Sequence, residues 1–148
     1  MKIVFNKSFT LLVFLVTVLW GCEKIEGEAT PPAFDATPYI FSKTEANTVI
    51  TAKNEVKWFF DNLHIDNKYV SFKDPSIKYY TKNVSPNADS DIAYIYQFEG
   101  EWFRIERLDY TRIQVILKEN QSGVSRTLKV SVRAGNASTD IILTQLGE

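Results

Sequence analysis

Few side chains in this chain have the types and spacing that catalysis requires. Its single histidine, His64, lies in the segment 61–66, which offers two aspartates but neither Ser nor Thr to act as a nucleophile. Two carboxylates, Glu99 and Glu101, lie two residues apart around a glycine. Glycosidase carboxylates usually come from different strands across a cleft, so this spacing indicates a hairpin turn instead. We therefore predict that the protein has no catalytic residues and is not an enzyme.

The residues that could bind a metal ion also form an incomplete pattern. Asn87, Asp89 and Asp91 alternate as they would in a calcium loop, but an EF-hand also needs Gly at position 92 and Glu at position 98. Ile92 and Phe98 occupy those positions. This favours a solvated turn over a looser Ca²⁺ loop. One Cys and one His also exclude a multi-Cys/His metal site and a disulfide framework, so we predict no metal and no cofactor.

Tyrosines provide the most plausible ligand-binding chemistry, because aromatic rings pack against the apolar C–H face of a sugar. Tyr79 and Tyr80 adjoin a loop, and Tyr94 and Tyr96 lie two apart in a predicted strand. Two residues on the same face of a strand lie about 7 Å apart, a spacing suited either to a sugar ring or to mutual packing. These four tyrosines are the candidate glycan platform.

Composition limits the function further. The chain has 148 residues, enough for one folded domain, with 45% hydrophobic and 24% charged residues. With 17 Lys and Arg against 18 Asp and Glu, its formal net charge is −1. There is thus no overall positive charge to attract nucleic acid, and we predict no nucleic-acid partner.

Short alternating or β-branched runs predict an all-β fold. The clearest is 126–133, where Leu128, Val130 and Val132 share one face. Loop residues separate the runs and no helical period persists, which indicates an antiparallel sandwich or barrel. The strands are predicted at 39–42, 47–52, 56–66, 68–72, 77–80, 92–98, 102–107, 112–118, 126–133 and 139–145.

The N-terminus is typical of an export signal. Lys2 and Lys7 precede the uncharged run 9–20, which is too short for the ~20 residues of a membrane span. The sequence Leu19-Trp20-Gly21-Cys22 follows and resembles a bacterial lipoprotein signal, with Trp20 where a small residue is usual. The resemblance implies removal of residues 1–21, lipidation of Cys22 and an outer-membrane lipid anchor in the cell envelope. An ordinary signal with an unrelated cysteine is the alternative.

The rest of the chain divides into a tether and a domain. Residues 22–37 are acidic and then rich in Ala, Thr and Pro, which favours a flexible spacer, and residues 38–148 form the β-domain. Without residues 1–21 the chain keeps 15 basic and 18 acidic residues, so the mature protein is more acidic than its precursor.

A series of residues in the C-terminal half resembles the BACON domain, the Bacteroidetes-associated carbohydrate-binding often N-terminal module. The series is Trp102-Phe103, Glu119-Asn120, Arg126 followed by its alternating strand, and the ending Gln145-Leu146-Gly147. The resemblance extends over 38–148, more loosely in the first half, and 63–101 is longer than the pattern. It implies an immunoglobulin-like antiparallel β-sandwich without catalytic residues and a carbohydrate-binding or spacer role.

Four further residues are predicted to be structural. The resemblance places Trp58 and Trp102 at pattern positions, where a small sandwich buries large aromatic rings. Arg126 begins a strand with a side chain that could pair with an acid. Gln145 is polar on an inward register, where its amide could satisfy backbone groups at the edge of the sandwich.

These observations predict a non-catalytic, lipid-anchored envelope protein that binds a glycan or mucin and works beside other glycan-utilisation proteins. The alternative is a structural spacer or protein-assembly module that binds no carbohydrate.

Overall fold

The computed structural model describes residues 29–35, 37–71, 73–83 and 93–148, and these residues form β-strands without a helix. The prediction of an all-β protein is confirmed. The ten strands are β1 (Tyr39–Phe41), β2 (Ala46–Thr51), β3 (Phe59–Ile65), β4 (Lys68–Tyr69), β5 (Lys78–Asn83), β6 (Ala93–Glu99), β7 (Phe103–Arg107), β8 (Arg112–Leu117), β9 (Arg126–Ala134) and β10 (Ala137–Gln145).

Alternation of side chains explains why the C-terminal strands form where they do. Along β9, Leu128, Val130 and Val132 are buried while the residues between them are partly exposed. Strand β10 continues the same pattern with Ile141 and Leu143. A strand with one apolar face is stable only when that face is covered, so both strands turn it to the core.

The strands join into one mixed sheet in the order β1-β10-β9-β3-β6-β7-β8-β2, with β4 added to β3 and β5 to β6. Strand β1 runs parallel to β10, whereas the other described pairs are antiparallel. The sheet nearly closes on itself, because its two end strands, β1 and β2, line a shared groove of about 370 Å³.

Strand β3 lies near the centre of the sheet, between β9 and β6. One edge of β3 pairs with β9, where Phe59 lies opposite Arg133. The other edge pairs with β6, where Phe60 lies opposite Ile95. The pairing of β3 with β9 shifts between Phe60 and Asn62, where β3 has an extra residue. The pairing of β5 with β6 shifts between Tyr80 and Thr81, where the extra residue lies in β6. Such bulges re-aim the side chains next to them.

One hydrophobic core lies inside the sheet. Its largest members are Trp58, Phe60 and Phe98, each 1% exposed or less, and strands β7 to β10 add Ile, Leu and Val side chains. Trp58 and Phe60 pack edge to face with ring centroids 5.4 Å apart, the arrangement that aromatic quadrupoles prefer.

Part of the segment predicted as a tether lies against the domain. The Ala33 N–H donates to the Asn54 side chain at 2.6 Å, and the Lys53 N–H donates to the Ala33 carbonyl at 2.7 Å. Phe34 packs edge to face on Trp58, with centroids 6.2 Å apart. The predicted boundary between residues 37 and 38 stays a prediction.

Several sequence-based predictions fall outside the described residues. These are the signal segment 1–21 with Cys22, and the loop residues Asn87, Asp89 and Asp91. Within the part of the chain that the structure describes, no helix has the length and hydropathy needed to cross a membrane.

Candidate ligand-binding groove

A groove of about 560 Å³ opens where the start of β3 meets the end of β9 and the start of β6. Ligand sites in proteins are typically concavities of about 300–1,000 Å³, lined by aromatic side chains and a few polar groups. We call it the aromatic groove. Its described lining consists of Lys57, Trp58, Phe59, Lys82, Tyr94, Arg107, Tyr110, Arg133 and Gly135.

Trp58, Arg107 and Tyr110 form one wall of the aromatic groove. The Trp58 indole N–H donates to the Tyr110 carbonyl at 2.7 Å, and Arg107 donates to the Trp58 carbonyl. The Arg107 guanidinium also lies 5.5 Å from the Trp58 ring centroid and 5.1 Å from that of Tyr110. Burial lowers the pKa of Arg107 from its usual value. Hydrogen bonds and cation–π contacts therefore hold this wall in place.

Phe59 and Tyr94 form the aromatic surface next to that wall. Their ring centroids are 4.3 Å apart and the rings are tilted by 32°, so the two faces are close to a stacked arrangement. Phe59 is directly opposite Arg133 in the β3–β9 register. Both rings are half-buried, unlike the neighbouring Phe60, which points into the core.

A second tyrosine pair lies beside the aromatic groove. Tyr80 and Tyr96 have ring centroids 6.5 Å apart, and the Lys82 ammonium lies 4.2 Å from the Tyr96 centroid. The Tyr80 hydroxyl donates to Glu99 at 3.2 Å. Its pKa is raised, first by desolvation and then by this bond to a carboxylate. Lys82 therefore connects the Tyr96 ring with the lining of the aromatic groove.

Tyr79 does not belong to this surface. Its ring packs edge to face on the buried Phe98, with centroids 5.5 Å apart, and its hydroxyl donates to the Ser71 carbonyl at 2.9 Å. Desolvation raises the pKa of its hydroxyl. Adjacent strand residues point to opposite faces, so Tyr79 and Tyr80 could not share one platform. Of the four predicted tyrosines, Tyr94 lines the groove, Tyr80 and Tyr96 flank it, and Tyr79 is directed to the core.

Arg126 and Gln145 form a polar cluster at another position of the sheet. The Gln145 side chain is 1% exposed and its amide nitrogen donates to the carbonyls of Thr44, Lys118 and Lys43 at 2.9, 3.1 and 3.3 Å. Its amide oxygen accepts from Arg126 at 2.8 and 3.0 Å. Arg126 thus pairs with an amide and two backbone carbonyls, whereas the sequence suggested an acid as its partner.

The two tryptophans predicted to be structural have different surroundings. Trp58 is 1% exposed in the core, while its edge reaches the aromatic groove. Trp102 is half-buried, and its ring lies 4.1 Å from the Arg126 guanidinium. Burial lowers the pKa of Arg126 from its usual value. Trp102 therefore covers the Arg126–Gln145 cluster.

The structure does not bring His64 together with the neighbouring acids. Its ring lies 5.6 Å from that of Tyr69, and its Nδ1 is buried without a hydrogen-bond partner among the described residues. Asp61 faces Arg133 at 3.8 Å, and Asp66 accepts from the Thr127 N–H at 2.8 Å. Among the described residues, no three His, Cys, Asp or Glu side chains lie close enough together to hold a metal ion.

Most of the aromatic groove was not predicted from the sequence. Phe59 was included in a predicted strand, and the run Trp58-Phe59-Phe60 could have indicated that one ring points outward, because strand neighbours alternate. Tyr110 and Arg107 carry no comparable signal. They reach the groove only through the pairing of β7 with β8 and the turn that connects these strands.

Comparison with known proteins supports the fold only. No protein-family model and no curated protein matches the chain. A protein from Bacteroides thetaiotaomicron, solved by NMR, is similar over 84% of this chain and 96% of its own, with 20% identity and a TM-score of 0.54. A Bacteroides ovatus GH5 xyloglucanase in complex with a XXXG heptasaccharide has a TM-score of 0.36 at 15% identity, covering 72% of this chain and 16% of its own. An endo-fucoidan hydrolase of glycoside hydrolase family 107 has a TM-score of 0.39 at 8% identity. The match covers 84% of this chain and 14% of the hydrolase chain.

Proposed function

We propose that this protein is a non-catalytic glycan-binding module and that the aromatic groove is its binding site. The observation that carries the proposal is the pair of outward rings, Phe59 and Tyr94, beside a concavity of about 560 Å³. Sugar rings present apolar C–H faces that pack on such aromatic surfaces. Hydrogen-bond donors from Lys57, Arg107 and Arg133 surround the rings and suit sugar hydroxyls.

The proposal extends to the fold family of the domain and to the cellular location of the protein. We propose an immunoglobulin-like β-sandwich related to BACON domains, carried on a lipid-anchored envelope protein. The Trp102-Phe103, Arg126 and Gln145 series supports the first part, and the lipobox-like Leu19–Cys22 supports the second. A mucin or polysaccharide at the cell surface is then the partner, alongside other envelope proteins of glycan utilisation.

Binding of the purified full chain in detergent to a panel of plant and host polysaccharides and mucin tests this function. We expect Tyr94→Ala to weaken binding about tenfold, the loss of about 1.4 kcal/mol of ring contact. Tyr94→Phe keeps the ring and should bind as the unsubstituted chain does. The matched control is Tyr69→Ala, because Tyr69 is 54% exposed and does not line the groove.

A structural spacer or protein-assembly module is the alternative. Absence of binding to every polysaccharide and mucin in the panel would favour it. Equal loss of binding in Tyr94→Ala and Tyr69→Ala would instead contradict the aromatic groove as the binding site. The exposed apolar side chains Ile40 and Val49 give this alternative its own support, because they lie by the groove between β1 and β2, where another chain could pack.

A further inference from the structure

The aromatic groove collects positive charge, although the whole chain is slightly acidic. Its described lining includes Lys57, Lys82, Arg107 and Arg133, and none of the described lining residues is an Asp or Glu. The chain as a whole has a formal net charge of −1. The cations are therefore concentrated locally around one concavity, and a cleft lined by charges of one sign focuses their field on whatever enters it.

Carboxylates of the described residues neutralise little of this charge. Asp61 is the described acid nearest to the set, with its Oδ2 3.8 Å from the Arg133 Nε, at the limit of an ion pair. No described carboxylate forms an ion pair with Lys57, Lys82 or Arg107. By contrast, Arg104 and Arg112, outside the groove, each contact an acid of their own strand or turn.

The four cations also surround the aromatic rings. Arg133 is opposite Phe59 across the β3–β9 pair, and Lys82 is opposite Tyr94 across the β5–β6 pair. Arg107 lies between Trp58 and Tyr110. A ligand resting on the rings would therefore have ammonium and guanidinium groups at its edges. Guanidinium groups form paired hydrogen bonds with planar carboxylates and with sulfate oxygens.

We propose that the aromatic groove is selective for anionic polysaccharides, whose sugar rings carry carboxylates or sulfate esters. The rings bind the C–H faces, and Lys57, Lys82, Arg107 and Arg133 bind the charged substituents. This inference rests on the proposed glycan-binding function and adds the chemical class of the ligand.

Two pairs of polymers with matched backbones test the selectivity, using the purified full chain in detergent. Polygalacturonate is compared with methyl-esterified polygalacturonate, and dextran sulfate with dextran. We expect the charged member to bind at least about tenfold more tightly in one pair or both, and this advantage to shrink in about 0.5 M NaCl, where screening is strong. Whether polygalacturonate or dextran sulfate binds better distinguishes carboxylate from sulfate recognition.

A double variant links the selectivity to the groove. Lys57→Gln with Arg133→Gln should weaken binding of the charged polymers about tenfold more than binding of the uncharged ones. Lys43→Gln with Lys68→Gln removes the same charge from exposed positions that do not line the groove, and should have little effect. Thermal unfolding of both variants checks that the fold is retained.

The outcomes separate this inference from the proposed function. Equal binding of charged and uncharged polymers would overturn the selectivity and leave glycan binding intact. Binding to none of the four polymers, nor to the wider panel, would overturn both. Polyglutamate serves as an anion without sugar rings. If it binds as tightly as the charged polysaccharides, the attraction is for any polyanion, and the inference is wrong.

Discussion

Gln145 has the most buried polar side chain among the described residues, and its burial is balanced by a complete set of hydrogen bonds. Its amide donates to backbone carbonyls of two separate segments, at residues 43–44 and at Lys118, and accepts from Arg126. A buried carbonyl left without a donor is destabilising by about 1–3 kcal/mol, so one side chain stabilises several segments at once.

We expect Gln145→Leu to lower the free energy of unfolding by about 3 kcal/mol, because it leaves several carbonyls and the Arg126 guanidinium without their partner. Urea denaturation followed by tryptophan fluorescence measures the change. Gln121→Leu is the matched control, since Gln121 is exposed, and it should change stability by less than about 0.5 kcal/mol. A loss for Gln145→Leu no larger than that of the control would contradict this role.

At the scale of elements, the turn between β7 and β8 positions one wall of the aromatic groove. Asp109 accepts from the Thr111 N–H and hydroxyl at 2.8 and 2.9 Å and from the Arg112 Nε at 2.7 Å. These bonds fix the turn that carries Tyr110, whose carbonyl accepts from Trp58. The carboxylate therefore orders a segment that no regular strand pairing holds.

The same contacts predict how acid affects stability. Hydrogen bonds first from Arg112 and then from Thr111 hold the pKa of Asp109 well below its usual range. A carboxyl whose pKa is lowered in the folded state contributes its full stabilisation above the pKa it has in the unfolded chain, about 4. This contribution is lost as the pH falls from there through the pKa of the folded state. We expect the stability difference between the native chain and Asp109→Asn, measured by urea denaturation, to be largest near neutral pH and to shrink by about pH 2.

Glu55→Gln is the control for that experiment, because it removes an exposed carboxylate elsewhere on the surface. A difference between Asp109→Asn and the native chain that stays constant across this pH range would contradict the role of the Asp109 carboxylate.

At the scale of the whole molecule, the sheet brings distant segments of the chain together. Strand β3 lies between β9 and β6, so residues near positions 58, 94 and 133 become neighbours. Residues 29–35 contact this same region through Ala33, Phe34 and the bond from the Ala29 N–H to the Asn136 side chain at 3.2 Å. Residues 29–35 are thus held close to the aromatic groove.

The proposed lipid anchoring depends on Cys22, which lies outside the described residues. We expect Cys22→Ala to abolish lipidation and to move the protein out of the membrane fraction, as measured by fractionation and by the mass of the N-terminal peptide. Trp20→Ala is the control, because it places a small residue where a lipobox usually has one and should leave lipidation intact. An unchanged membrane fraction for Cys22→Ala would contradict lipid anchoring.

Strand positions were largely predictable, and the candidate site was not. The apolar positions of β9 and β10 alternate without interruption, so local sequence suffices to place both strands. The segment 63–101 was harder, because a register shift between β5 and β6 at Tyr80/Thr81 interrupts the period of two. Tyr94 and Tyr96 were predicted to share one strand face, but their ring partners, Phe59 and Tyr80, depend on which strands pair.

The sequence by itself determined the all-β class and the apolar face of each regular strand, because hydrophobic burial imposes a period of two on local sequence. Only the tertiary structure decided that Trp58, Phe59, Tyr94, Arg107 and Arg133 line one groove. Their proximity results from the order in which β9, β3 and β6 pair, and that order depends on packing of the whole core. Positive charge that is dispersed along the sequence becomes concentrated in space for the same reason.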